Sequence, residues 1–177
     1  MSIMKNKFNN KPNEVIEHDG RKIWLSRSCA VVGMVWLNVE GQIYILINKR
    51  GKGAADNVGK YNLPCGYLDY DETLLEASIR EIYEETGLNI GNRYSFSEQP
   101  IFVSSDVTNN RQNVSNYFKF YCLCSKEEFE NIKNGLTTEN SEPDEVEEIL
   151  FIKFEDVDNY DFCFNHEKRI KQFRYEL

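Results

Sequence analysis

Two runs rich in valine and isoleucine, Cys29 to Leu37 and Gln42 to Asn48, stand on either side of the short segment Asn38-Val39-Glu40-Gly41. Near-continuous apolar runs broken by a polar, Gly-containing turn predict a hairpin of two largely buried strands. Upstream, Glu17 to Leu25 turns at Asp19-Gly20 and predicts a small hairpin or an edge strand. Residues 1–13 are polar, rich in Asn and Lys and include Pro12, and they read as a mobile arm preceding a single domain over 14–177. Tyr61 to Leu68 predicts a short strand that breaks at Pro64 and Gly66. Gln99 to Val107 and Val114 to Cys124 predict two more strands around the polar turn Thr108 to Asn113. Ser125 and Glu128 have the spacing of a capping box and open a short helix that ends at Gly135. A strand over Ile149 to Phe154 follows, and a last helix opens at Asn165 with Phe164, Ile170 and Phe173 available for packing. His166, near the start of that helix, reads as a surface residue. Strands before and after two or three helices indicate a layered, mixed α/β domain.

The segment from Gly66 to Leu88 has a different pattern: a glycine turn, about four helical turns and a glycine stop. At ~100° per residue, Leu75, Ser78, Ile79, Ile82 and Thr86 share one face, while Glu81, Glu84 and Glu85 crowd a second, narrow one. The helix is expected to be N-capped by Asp69, with Glu72 completing a capping box, or by Asp71. Gly87 followed by Leu88 suits a Schellman stop. Like charges at i, i+4 destabilise a helix by a few tenths of a kcal/mol per pair, so three clustered glutamates call for compensation. Arg80 can take one carboxylate, or a hard divalent cation can take several, since Mg²⁺ prefers oxygen ligands. The simpler alternative is a solvated acidic face with Glu76 paired to Arg80. An EF-hand over Asp69-Tyr70-Asp71 fails, because Leu74 and Arg80 stand where its glycine and last glutamate belong.

Composition narrows the class. With 177 residues, 41% of them hydrophobic, the chain fits one globular domain with a sizeable core. A net charge of −8 argues against broad nucleic-acid binding, although an acidic protein still accepts a polyphosphate where cations screen the charge locally. Five cysteines without a C-x2-C pair, and two isolated histidines, argue for reduced thiols and against a zinc site. No apolar run is long enough for a membrane span and no apolar segment follows the basic N-terminus, so a cytoplasmic protein without membrane contact is expected.

Gly66, Glu72, Arg80, Glu81, Ile82, Glu84, Glu85, Gly87 and Leu88 fill every fixed position of the pattern G-x5-E-x7-R-E-U-x-E-E-x-G-U, with U apolar. The spacing resembles the signature of Nudix hydrolases. That resemblance implies an α/β/α sandwich around a mixed sheet, and metal-dependent hydrolysis of a small nucleotide: a nucleoside diphosphate linked to another moiety. It further implies that Glu81, Glu84, Glu85 and the Gly66 carbonyl hold Mg²⁺ or Mn²⁺. Arg80 then orients Glu81 or Glu85 and partners Glu72, and Glu85 or a glutamate of the acidic loop 136–148 accepts the proton of the attacking water. Glu145 and Glu148 are the candidates in that loop, which otherwise reads as solvated. Arg50 and Lys52, in a basic glycine-containing loop, are candidates for substrate phosphate or else simply solvated. Cys65 departs from the Gly-Gly often found there. Two readings of other classes stand beside hydrolysis: a nucleotide-binding or regulatory module without turnover, and an isomerase of isoprenoid diphosphates using Cys65. The residues select neither the linked moiety nor an oligomeric state.

Overall fold

The computed structural model describes residues 14–25, 28–105, 107–108 and 111–174; the expected arm over 1–13 lies outside them. In chain order the elements are β1 (Glu14–His18), β2 (Arg21–Leu25), β3 (Cys29–Val39), β4 (Gln42–Arg50), β5 (Tyr61–Asn62), β6 (Cys65–Tyr67), α1 (Leu74–Thr86), β7 (Phe102–Ser104), β8 (Val107–Thr108), β9 (Arg111–Gln112), β10 (Val114–Cys124), α2 (Lys126–Asn134), β11 (Val146–Lys153) and α3 (His166–Gln172), with a 3-10 turn over Phe154–Asn159. β1 and β2 form the expected hairpin, and β8 and β9 a second small one.

The main sheet runs β11-β4-β3-β10-β7, with β5 added beside β4 and β6 beside β3. β3 and β10 are parallel and the other pairs antiparallel, so the sheet is mixed, as expected. The apolar run of β3 is continuous because both of its faces are covered. Val35, Leu37 and Val39 join Ile82 of α1, Phe129 of α2 and Phe118 in one core. Val32, Met34 and Trp36 join Val157, Ile170 and Phe173 of the C-terminal elements in the other. The result is helix, sheet, helix in three layers. Ile82 is fully buried on the inner face of α1, and truncating such a side chain to Ala typically costs about 2–5 kcal/mol.

Several local expectations change. Lys49 and Arg50 belong to a strand and not to a loop, since Lys49 pairs with Tyr61 and Glu148, and Arg50 with Val146. The strand opening at Val146 likewise starts earlier than the apolar pattern showed. Helix α1 is capped by Thr73, not by Asp69 or Asp71. Thr73 has the extended backbone an N-cap needs (φ −82, ψ 162) and exchanges hydrogen bonds with Glu76, whereas Asp71 is left-handed (φ 64). Gly87 closes the helix at φ 71 and donates its N–H to the Tyr83 carbonyl, but the Leu88 N–H donates to the Thr86 hydroxyl. The stop is therefore the simpler left-handed motif and not a Schellman motif. α2 carries the expected Ser125–Glu128 capping box.

Candidate active site

The acidic face of α1 borders a cavity of about 300 Å³ lined by Glu81, Glu84, Glu85, Glu145 and the segment 140–143. Glu85 is its deepest member at 3% exposure. Its Oε2 accepts from Asn48 Nδ2 at 2.8 Å and from the Cys65 backbone N–H at 3.0 Å. Burial raises its pKa well above the usual carboxylate range, and the neighbouring Glu81 charge adds to that, while the two donated hydrogen bonds oppose it. Asn48 was missed in the sequence. Its signal was a lone amide at the end of the apolar run Ile45-Leu46-Ile47, where an uncharged polar residue needs a buried partner.

Arg80 ties the rest of the acidic face together. Its guanidinium makes a two-pronged contact with Glu72, Nε to Oε2 at 3.0 Å and Nη2 to Oε1 at 2.7 Å, and also donates to the Tyr67 carbonyl at 3.0 Å. Its Nη1 donates to Glu81 Oε1 and Glu84 Oε2, both at 2.8 Å. Glu72 is thereby held below its usual range, chiefly by Arg80. Glu81 moves the other way: burial pushes it up to about 7, against the pull of Arg80, and the charges of Glu84 and Glu145 add to the rise. Arg80 contacts Glu81 and Glu84 but not Glu85, which Asn48 and the Cys65 amide hold instead. Gly66 lies directly against Glu81. A Cβ at that position would meet the Glu81 carboxylate at 2.2 Å, so a larger residue there would push that carboxylate aside.

Glu145 reaches the site through backbone docking. The Gly51 N–H donates to the Glu145 carbonyl at 2.7 Å and the Gly53 N–H to the Asp144 carbonyl at 2.8 Å. Side chains on these two glycines would strike the Asp144 and Pro143 carbonyls at 2.1 and 2.3 Å. The glycines after β4 are thus the seat of the acidic loop. Glu148, in contrast, is exposed on β11, accepts from the Tyr61 hydroxyl at 3.4 Å and lines neither cavity described here. Lys52 is also exposed and borders neither.

Arg50, 9% exposed, donates from Nε to the Asp56 carbonyl at 2.9 Å and from Nη2 to Asp56 Oδ1 at 3.3 Å. It borders a second cavity of about 220 Å³, whose wall includes Cys65, Gly66, Tyr117, Phe164, His166 and, shared with the first, Glu145. His166 is the clearest departure from expectation: it is 1% exposed, and its Nδ1 accepts from the Leu63 N–H at 3.0 Å. Ile170 and Phe173, packed in the core with Tyr117 of β10, carry it inside, a placement that a helix-start position in the sequence does not reveal.

As a donor set, the first cavity suits a hard divalent cation: five carboxylates line it, those of Glu81, Glu84, Glu85, Glu142 and Glu145, with Arg80 the cation that touches two of them. Among the described residues no three acidic, His or Cys side chains are drawn close enough to grip one ion as they stand, and Arg80 spans Glu81 and Glu84.

A family model described as the NUDIX domain matches residues 27–173. The chain belongs to the Nudix family. An RNA pyrophosphohydrolase of Bartonella tribocorum is 38% identical over 64 residues, 35% of this chain and 36% of that protein, so the chain spans about a third of that curated relative. Among solved structures, the NUDIX domain of Shewanella oneidensis NrtR complexed with ADP ribose superposes with a TM-score of 0.64 at 17% identity, covering 85% of this chain and 88% of that one. A bifunctional NMN adenylyltransferase/ADP ribose pyrophosphatase of Francisella tularensis, complexed with AMP and a manganese ion, gives 0.61 at 20% identity, covering 85% and 42%. These two likenesses establish the Nudix fold. Cys65 precedes Gly66 on β6. Burial first, then the Glu85 charge, raises its thiol well above the usual range, which leaves it protonated and a poor nucleophile. All five cysteines are free thiols. No helix among the described residues is long and apolar enough to cross a membrane.

Proposed function

We propose that this Nudix protein hydrolyses a phosphoanhydride bond in a nucleoside diphosphate linked to another moiety, with Mg²⁺ or Mn²⁺ as cofactor. The observation that carries the reading is the convergence of Glu81, Glu84 and Glu85 from α1 with Glu145 from the docked loop on one cavity. Glu81, Glu84 and Glu85 would hold the cation, with Gly66 allowing the approach, and a bound divalent ion supplies charge neutralisation on the polyphosphate and a more acidic water. Arg80 keeps Glu81 and Glu84 aligned and is itself anchored by Glu72. Glu85, fixed at one oxygen by Asn48 and the Cys65 amide, is the residue we assign as proton acceptor, with Glu145 as the second carboxylate within the same cavity. Arg50 serves the substrate indirectly, since Asp56 already occupies its guanidinium. The relatives support the class of reaction: one is named an RNA pyrophosphohydrolase, and a fold neighbour was solved with AMP and manganese.

Binding without turnover is the second reading, favoured by the fold neighbour solved with ADP ribose. A purified sample assayed with Mg²⁺, Mn²⁺ or EDTA against nucleoside triphosphates, ADP-ribose, NADH and dinucleoside polyphosphates separates the two. Metal-dependent release of two phosphorylated products from any of these supports hydrolysis. Binding of such a compound with no product under either metal supports the second reading. An isoprenoid diphosphate isomerase would need a reactive Cys65, and the raised, protonated thiol speaks against it.

A further inference from the structure

The second cavity contains two features that the chemistry of the first does not use. Phe164 and Asn165 are consecutive residues in the left-handed backbone region, with φ of 57 and 59. Asn tolerates that conformation, but for Phe it is a genuine outlier. Strain of this kind persists where the surroundings hold it, and it concentrates at functional sites. Here it turns a half-buried Phe164 ring into the cavity wall, with the Arg50 guanidinium 5.3 Å from the ring centroid. Behind it stands His166. Because its Nδ1 accepts from the Leu63 N–H, the proton of the neutral ring sits on Nε2. That Nε2–H has no hydrogen-bond partner among the described residues, although the side chain is almost wholly buried and lines the cavity. The Nε2 atom itself is not sealed off from the cavity, so that donor is open to a group seated there.

We propose that this cavity is a recognition subsite for a planar heterocycle, which stacks on Phe164 and accepts a hydrogen bond from His166 Nε2 through a ring nitrogen or carbonyl. The inference rests on the hydrolase reading for its orientation: Glu145 borders both cavities, so one nucleotide can lay its base here and its phosphates at the carboxylates. The donor is uncharged. Burial, together with the Arg50 and Arg169 charges, pushes the imidazole down to about 3, which suits a neutral acceptor on a base better than a phosphate oxygen. His166 and Phe164 are thus specificity-determining residues, and neither acts on the reacting bond.

The test compares AMP, GMP, CMP and UMP with ribose 5-phosphate, none of which has a phosphoanhydride to cleave, by titration calorimetry in Mg²⁺ buffer. The parent protein should bind at least one of the four roughly tenfold more tightly than ribose 5-phosphate, the scale of one stacking contact plus one satisfied buried donor. His166→Asn keeps an acceptor near Nδ1 for the Leu63 N–H and removes the Nε2 donor. Phe164→Asn keeps a residue suited to the left-handed backbone and removes the ring. Each should reduce the margin to within about twofold of ribose 5-phosphate, with circular dichroism confirming the fold; if one variant does not fold, the other decides. Absence of any margin in the parent, or a margin that survives in a folded variant, overturns the proposal. Parallel assays of phosphoanhydride hydrolysis keep the two readings apart: hydrolysis without a base margin sinks the subsite alone, and a base margin without hydrolysis sinks the hydrolase reading alone.

Discussion

The first cavity draws Glu81, Glu84 and Glu85 from little more than one turn of α1, whereas the second collects Cys65 from β6, Tyr117 from β10, Phe164 from a loop and His166 from α3. Helical period alone puts the three glutamates side by side, and their buried neighbours Ile82 and Thr86 face the core independently of the charge. In the second cavity the same side chains line the wall and hold the layers together; Leu63 depends on His166 for a buried hydrogen bond. The first region should therefore separate chemistry from stability, and the second should not.

Replacing Glu85 by Gln is the most severe test of that separation. The amide oxygen still accepts from Asn48 and Cys65, so the fold should persist while kcat falls by about 10³-fold, the scale of a lost general base at a metal site. Steady-state rates together with a thermal melt check both halves of the statement. Gly66→Ala comes next. Its Cβ would displace only the Glu81 carboxylate, the end of a flexible side chain, so Tm should move little while kcat drops by about 10²-fold, as for a displaced ligand group.

His166 reports on the second region. Its folded-state value of about 3 lies below the ordinary 6.5, so the unfolded chain binds the extra proton first as pH falls. The stability it confers is complete above about pH 6.5 and is lost as pH falls toward 3, amounting to about 2 kcal/mol between pH 7 and pH 5. Urea unfolding at those two pH values should show that loss in the parent and a much smaller one in His166→Asn. Equal losses would mean that the imidazole is not held neutral. The mildest effect is expected for Arg50→Ala, which removes the cation beside Phe164 and the contact to Asp56: KM should rise several-fold, with kcat changing less. A kcat effect as large as that of Gly66→Ala would instead put Arg50 on the reacting phosphates.

Local signals explain what could be read in advance. The two long hairpin strands, the capping box of α2 and the glutamate face of α1 depend on near neighbours in the chain, and all were visible in apolar runs, caps and period. The Thr73 cap was not, because Asp71 is excluded only by its left-handed backbone. Asn48, Glu145 and His166 owe their roles to partners 37, 94 and 103 residues away, namely Glu85, Gly51 and Leu63. Such pairings are set by the way β4, the acidic loop and α3 close around the sheet, which no short window contains. Gly51 and Gly53 were noticed for their basic neighbours, yet their function here is to seat a backbone.

The central claim is that the glutamates of α1 are assembled to hold divalent cations for phosphoanhydride chemistry. Titration calorimetry with Mn²⁺ and with Mg²⁺, in the presence and absence of AMP, addresses it without relying on turnover. The parent protein should take up metal, and the doubly substituted Glu81→Gln, Glu84→Gln protein, still folded, should bind it at least about tenfold more weakly. No heat of metal binding by the parent under any of these conditions, or equal affinity in the substituted protein, would contradict the account.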